Sequence, residues 1–300
     1  MSMKNLRPAV RFFYDLQKLR IATGLRGKSG PDTAEQTPLD KAFMDKMAAD
    51  LKGLEADALK HTKVALKGIP VYERWLKHQK GIGPTMAAAI IGAIDIEQCN
   101  TPSALWAYAG LGIKNGRAQR RTKGEKLGYN PFLKTKLFVA SDCLIRAYSV
   151  EEETGDYVVK RTDKKTEVTV VSMRWAGPES DVPAPWRQFY DRYKHRKKTT
   201  LVDSCGACKG TGEIKKEPCS NCGATGGPAP WGNSDAHRDQ AARRYMMKQF
   251  LLCLWLVWRK LENLPTRVPY QEQMQGKSRH DPFFAGFLPK EFHPPVSVAA

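Results

Sequence analysis

Four cysteines, Cys205, Cys208, Cys219 and Cys222, stand in the spacing Cys-x2-Cys-x10-Cys-x2-Cys, and they are the residues of this chain best suited to chemistry. Thiolates are soft ligands, and two tight pairs joined by a short hairpin can converge on one tetrahedral ion. Gly206, Gly210, Gly212, Gly223 and Gly226 supply the turns that such knuckles need. With all four positions acting as ligands no coordination site stays open, so the expectation is zinc in a structural role, with disulfides or iron as alternatives. A cytosolic setting disfavours disulfides. Cys99, Cys143 and Cys253 sit singly in apolar helical surroundings and read as small buried hydrophobes.

A second candidate site begins at Gly81-Ile82-Gly83-Pro84, where two glycines free the backbone and a proline starts a helix. The amides at such a helix start, helped by the helix dipole, bind phosphate without reading sequence. Lys77, Lys80 and Thr85 flank this turn. From 114 to 136 a glycine-punctuated loop carries Lys114, Arg117, Arg120, Arg121, Lys123, Lys126, Lys134 and Lys136, and a flexible basic loop of this kind suits a phosphate backbone. Arg243, with His237, Arg238 and Arg244, lies on a later helix that can line a DNA groove or form a solvated face opposite Phe250, Leu254 and Val257.

Composition points the same way. Against 49 Lys and Arg stand 31 Asp and Glu, a formal net charge of +18 that favours a polyanionic partner. The longest apolar stretch, Phe250 to Trp258, is too short to span a bilayer, and the N-terminal residues lack the apolar core and cleavage site of a secretory signal. The expected location is therefore the cytoplasm, in association with the nucleoid. A magnesium site is conceivable only if Asp95 with Glu97, Asp142, or Asp235 with Asp239 meet in space. Asp235 and Asp239 lie near a helix N-terminus, where acids favour the dipole in any case.

These residues must be positioned by a mostly α fold: a helix-hairpin-helix core with a small β-hairpin and a zinc-ribbon or knuckle insertion. Residues 1–70 read as a helical region, with apolar residues at helical spacing over Arg11–Ile21 and Leu39–Leu66 and a loop over Thr23–Pro38 between them. Residues 71–148 form the helix-hairpin-helix domain and end in a helix, Pro131–Tyr148, whose Leu133, Leu137, Phe138, Ser141 and Leu144 face a core. Residues 149–200 hold a hairpin turning at Thr162–Lys165 and a basic aromatic helix over Pro185–Lys198. The zinc module spans 201–230. A long helix capped at Ser234 or Asp235 occupies 231–263, and 264–300 is an extended tail docking through Phe283, Phe284 and Phe287.

The wording Cys205-Gly-Ala-Cys-Lys-Gly-Thr-Gly and Cys219-Ser-Asn-Cys-Gly-Ala-Thr-Gly resembles the zinc repeats of the DnaJ co-chaperones, with Ala224 where a glycine is expected. That resemblance implies a shared way of folding a short chain around zinc. Gly81-Ile-Gly-Pro, Ala87-Ala-Ala, Ala107-Tyr-Ala-Gly-Leu, Asn130-Pro-Phe-Leu, and the late helix with His237, Ala241, Arg243 and Lys248 together resemble the C-terminal domain of insertion-sequence 110 (also 116 and 902) transposases. The likeness covers roughly 75–148 and 185–262. In that family the helix-hairpin-helix domain works with a RuvC-like nuclease domain bearing acidic metal ligands, and with a serine nucleophile. Here the residues before the turn read as helical, so a RuvC-like domain is not expected among them. The position matching the serine holds Asn115, before Gly116, and an amide cannot attack phosphorus.

The sequence thus implies a DNA-binding protein of the transposase and recombination class, acting on duplex or branched DNA without a nuclease of its own. One alternative is a shortened transposase or recombinase that cuts with a partner subunit or magnesium. The other is an RNA or nucleoprotein scaffold whose zinc module grips a protein. A second copy of the chain is a further candidate partner, through the helical N-terminal segments.

Overall fold

The computed structural model describes residues 6–26, 38–114, 117–150, 157–163, 166–173, 186–266 and 288–292. They are mostly helical, and the chain divides into two units, residues 1–95 and 96–300.

The first unit is built on a helical pair, α1 (Leu6–Arg26) and α2 (Pro38–Leu66), which pack along their length. Leu6, Val10 and Phe13 recur at three- and four-residue spacing and are buried. Gln17 donates to Glu55 at 2.9 Å, and Arg20 pairs with the same carboxylate, holding its pKa below the ordinary glutamate value. Helix α1 runs five residues past Ile21, through the expected loop start at Thr23, because Thr23 is itself buried and the helix stays packed there. The remainder of that loop lies outside the described residues.

Helix α3 (Pro70–Arg74), a single 3-10 turn (Leu76–His78) and α4 (Pro84–Ala93) complete the unit. Every residue of α4 from Ala87 to Ala93 is buried. Its small side chains let α1 approach closely: a Cβ on Gly92 would lie 3.3 Å from Val10 Cγ2, and Arg7 Nε donates to the Gly92 carbonyl at 3.0 Å. A close-packed helix of this kind is what the alanine run implies, and it fixes the turn that precedes it.

In the second unit the centre is α8 (Asp235–Leu261), against which α5 (Pro102–Tyr108), α6 (Pro131–Arg146) and α7 (Arg187–Thr199) pack. Only the first half of α8 is amphipathic. From Gln249 to Arg259 every residue is buried, so the expected stripe of Phe250, Leu254 and Val257 is in fact a helix enclosed on all sides. Arg259, 3 % exposed, is satisfied by the carbonyls of Pro265, Ile96 and Cys99 at 2.8, 3.0 and 3.2 Å, and Trp255 donates to Cys99 at 2.7 Å.

On α6, Leu133, Leu137, Ala140, Ser141 and Leu144 are buried, but Phe138 is 51 % exposed. It falls a residue outside that stripe, and the Arg243 guanidinium lies over its ring at 5.7 Å. Of the lone cysteines, Cys99 and Cys253 are buried as expected, whereas Cys143 is only half-buried.

Short strands complete the unit. β1 (Ile113–Lys114) pairs with β2 (Arg117–Ala118), and β3 (Ser149–Val150), β4 (Tyr157–Asp163) and β5 (Thr166–Met173) form an antiparallel sheet in that order. The expected hairpin is β4 and β5; β3 adds a third strand too short for alternation to reveal it. β6 (Leu201–Val202) pairs with β9 (Ala229–Pro230), and between them β7 (Glu213–Ile214) pairs with β8 (Glu217–Pro218). No described helix is long and apolar enough to cross a membrane. Phe283, Phe284 and Phe287 lie outside the described residues, as do Asn115, Gly116 and the Lys164–Lys165 turn.

Candidate nucleic-acid interface and metal centre

The cysteine module repeats one eight-residue unit twice. In the first copy Gly210 N donates to Cys205 O at 3.2 Å and Thr211 N to Cys208 O at 3.2 Å; in the second, Ala224 N donates to Cys219 O at 3.1 Å and Thr225 N to Cys222 O at 3.3 Å. Each copy turns a backbone amide onto its second sulfur, Gly212 N to Cys208 Sγ and Gly226 N to Cys222 Sγ, both at 3.3 Å. The copies then clasp each other, with Cys205 N donating to Gly226 O and Cys219 N to Gly212 O, both at 2.9 Å.

Left-handed backbone occurs at matching places: Lys209, Gly210 and Gly212 in one copy, Gly223, Ala224 and Gly226 in the other. Gly212 and Gly226 are required by space as well. A Cβ on Gly212 would collide with the Ala224 carbonyl oxygen, and one on Gly226 with that of Gly210. Ala224 holds φ +65°, a conformation that costs a non-glycine residue about 1–2 kcal/mol.

The four sulfurs all lie within 4.8 Å of one another, with Cys205 to Cys219 at 3.9 Å and Cys208 to Cys222 at 3.8 Å. A tetrahedron with metal–sulfur bonds of about 2.3 Å has edges of about 3.8 Å, so the donor set fits a closed tetrahedral thiolate site. Among the described residues this is the one group of three or more His, Cys, Asp or Glu side chains able to hold a metal ion. Asn221 donates to Cys205 Sγ at 3.4 Å and holds that thiol down at about 6, while burial pushes the Cys219 thiol up to about 11. Arg238 Nη1 donates to Asn221 Oδ1 at 3.2 Å and to Trp231 O at 3.4 Å, latching the module onto α8. Arg238 is therefore 7 % exposed and structural, not part of a solvated face.

The glycine turn lies in the first unit. Gly81 takes φ +95°, Ile82 N donates to Gln79 O at 3.0 Å, and the buried Ile82 side chain pins the loop. Gly83 is the N-cap of α4 and offers no side chain to its amides, and Pro84 follows in the first turn. Gly83, Lys77 and Lys80 are exposed, Gly81 and Thr85 half-buried. Lys77 pairs with Glu73 at 2.5 Å, and this carboxylate raises the lysine pKa.

In the second unit the Tyr-Ala-Gly-Leu turn is bound to the start of α6. Asn130 N donates to Tyr108 O and Asn130 Nδ2 to Tyr108 Oη, each at 2.8 Å, while Asn130 Oδ1 caps α6 by accepting from Leu133 N at 3.1 Å. Gly110, at φ +70°, must lack a Cβ, which would sit 2.7 Å from Lys134 Cδ and 2.8 Å from the Tyr129 ring. The two short motifs are thus one structural device, with the basic loop strung between them. Residues 73–155 match the Transposase IS116/IS110/IS902 family. No curated protein and no solved structure matches the chain significantly.

The matched transposase-type segment supports a role of the transposase and recombination class, with DNA as the partner that such a role implies. It contains both the turn and the loop. Within it, Arg120, Arg121, Lys123 and Lys126 are exposed, while Lys114 and Arg117 are register partners in the backbone pairing of β1 with β2. The structure treats Arg243 differently from these. Its Nε donates to Asp239 at 2.8 Å and its Nη1 to Asp142 at 3.3 Å, and Tyr190 also bonds Asp239. Asp142 and Asp239, both weighed as metal ligands, are thereby brought to one arginine; Asp235 pairs with Lys194 at 2.9 Å. Ser141 is buried and donates to Phe138 O at 2.6 Å, whereas Ser103 is exposed.

Sequence reasoning named Arg120, Lys134 and Arg244 separately and missed that they come together with Lys248. Arg120 from the loop, Lys134 from α6 and Arg244 from α8 lie within electrostatic range of one another, and Lys248, one turn further along α8, lies within range of Arg244. Burial first, then neighbouring positive charge, lowers the pKa of Lys134, Arg244 and Lys248. Lys134 Nζ donates to Gln119 O at 2.8 Å and lies 4.4 Å over Tyr129; Lys248 Nζ lies 5.3 Å over Trp106. The one sequence signal was the one-turn spacing of Arg244 and Lys248 on a single helix face.

Proposed function

We propose that this chain is a DNA-binding protein of the transposase and recombination class, holding duplex or branched DNA through the Gly81–Pro84 turn and the basic loop 114–136 without cutting it. Zinc in the four-cysteine module stabilises the second unit as a structural ion. The observation that carries this reading is the start of α4: an exposed glycine N-cap leaves the first amides without a side-chain acceptor, inside a segment that matches a transposase family. Such a terminus accepts a backbone phosphate, and the loop cations add sequence-independent attraction.

The test is the affinity of zinc-loaded protein for a four-way DNA junction, a linear duplex and an RNA hairpin across a salt series, with magnesium added afterwards. Binding to the DNAs with intact strands supports the reading; preference for the RNA hairpin replaces DNA with RNA as the partner. Gly83→Asp sharpens it. A Cβ at Gly83 meets nothing within 4 Å, and a carboxylate there caps α4, so the fold is retained while the phosphate loses its amides. Unchanged affinity would remove the turn from the interface.

A second reading, a shortened transposase acting with a partner subunit, draws on the same family match. It requires magnesium-dependent nicking that disappears when a single aspartate is replaced. The pairing of Asp142 and Asp239 with Arg243, and of Asp235 with Lys194, argues against those acids as its metal ligands.

A further inference from the structure

We propose that Arg120, Lys134, Arg244 and Lys248 form one built phosphate site that takes the sugar-phosphate backbone of DNA, an inference that rests on the DNA-binding reading above. Its first support is a contrast within the second unit. Arg146 and Arg243 pair with Asp142, Arg187 with Asp191, and Lys194 and Arg238 with Asp235. Among the described residues no carboxylate pairs with any of the four proposed cations. Arg244 directly follows the doubly paired Arg243, so the change in partner occurs within one residue of the same helix.

The second support is orientation. Arg244 and Lys248 lie one turn apart on α8, which puts their Cβ atoms about 5–6 Å apart on one face. Trp106 donates Nε1 to Lys248 O at 2.9 Å, and this anchors the ring over which the Lys248 ammonium rests. Lys134 is held by Tyr129 and by the carbonyl of Gln119, the residue before Arg120. Loop, α6 and α8 therefore present their cations from fixed positions. One face of each of the Trp106 and Tyr129 rings carries an ammonium group, and the groups the site presents are cations, so the site fits phosphates and does not read sequence.

Half-buried like charges without a counter-charge destabilise the free protein, and a bound phosphodiester relieves this cost. Stability and binding should then respond with opposite sign, which a purely structural role cannot produce. The experiment uses the zinc-loaded full chain and the pair Arg244→Met and Lys248→Met, which keeps the packed stems and removes the charges. The thermal midpoint is measured without nucleic acid, and the affinity for a 20-base-pair duplex is measured from 50 to 200 mM salt.

The expected result for the double variant is a raised midpoint, affinity reduced about tenfold or more, and a log–log salt slope smaller by about 2. Lys248→Arg should keep the wild-type slope. Arg120→Gln, at an exposed position that packing does not constrain, should lower the slope by about 1. A wild-type salt slope in the double variant overturns the site, as does a lowered midpoint with unchanged affinity. Should the wild-type chain fail to bind duplex at all, the DNA-binding reading fails, and sodium tripolyphosphate decides the site. A rise in midpoint for wild type and not for the double variant upholds it, and an equal response of the two overturns it.

Discussion

The cysteine module and the cation cluster of the second unit are both candidate binding sites, yet they are built on opposite principles. The module draws its ligands from an 18-residue stretch, and nearly every backbone bond that shapes it is local, repeated once in each knuckle. The cluster takes Arg120, Lys134, Arg244 and Lys248 from three elements spread over more than 120 residues, with attractive contacts to rings and a carbonyl and repulsion among themselves. One site is stable because of its ligands; the other awaits a ligand to offset its charge. A chelator should therefore act on the first and salt on the second, and exchanging those sensitivities would break the comparison.

The largest effect is expected from Cys208→Ala or from chelation. Metal-linked folding energies in small thiolate modules are on the order of 10 kcal/mol, so residues 201–230 should lose their structure, seen as protease cleavage within that span and loss of bound metal. The salt slope for DNA should survive, because the proposed phosphate contacts lie on other elements. Next comes Gly212→Ala, whose Cβ meets the Ala224 carbonyl and which should cost about 2–3 kcal/mol or more, read as weakened metal retention in a competition with a chelating dye. Ala224→Gly has the opposite sign. It relieves the left-handed strain and should raise stability by about 1 kcal/mol with metal stoichiometry unchanged in a thermal melt. The smallest effect belongs to the cluster: Lys248→Met alone should raise stability by only about 0.2–0.5 kcal/mol, read in a thermal melt, while lowering the affinity for duplex DNA that the proposed site provides.

The same contrast explains what could be read from the amino acids alone. Cysteine spacing encodes the four-sulfur cluster because its geometry is set within a few residues, and the knuckle glycines are visible beside it. Helices α1, α2, α7 and α8 follow from periodicity and from a cap at Ser234, whose hydroxyl accepts from His237 N. Three things escaped because they depend on packing between distant segments. Phe138 reads as core on a helical wheel but falls outside the buried stripe. The second half of α8 is enclosed on every side, which apolar composition hints at and a single stripe understates. Arg243 and Arg244 are indistinguishable as neighbours in a sequence, yet one is bound by two aspartates and the other is left beside further cations.

The latch at Arg238 has a bearing on the order in which the second unit is assembled. Asn221 and Arg238 link the Cys205 sulfur to the first turn of α8, and the module precedes that helix in the chain. During synthesis the thiolates emerge first, so an ion held by the proposed site would be captured before the central helix is complete. The loaded module is then a template waiting at the helix start. In a metal-starved cell the chain would then reach its most apolar segment, Phe250–Trp258, without that guide, and the expected cost is aggregation of the nascent protein.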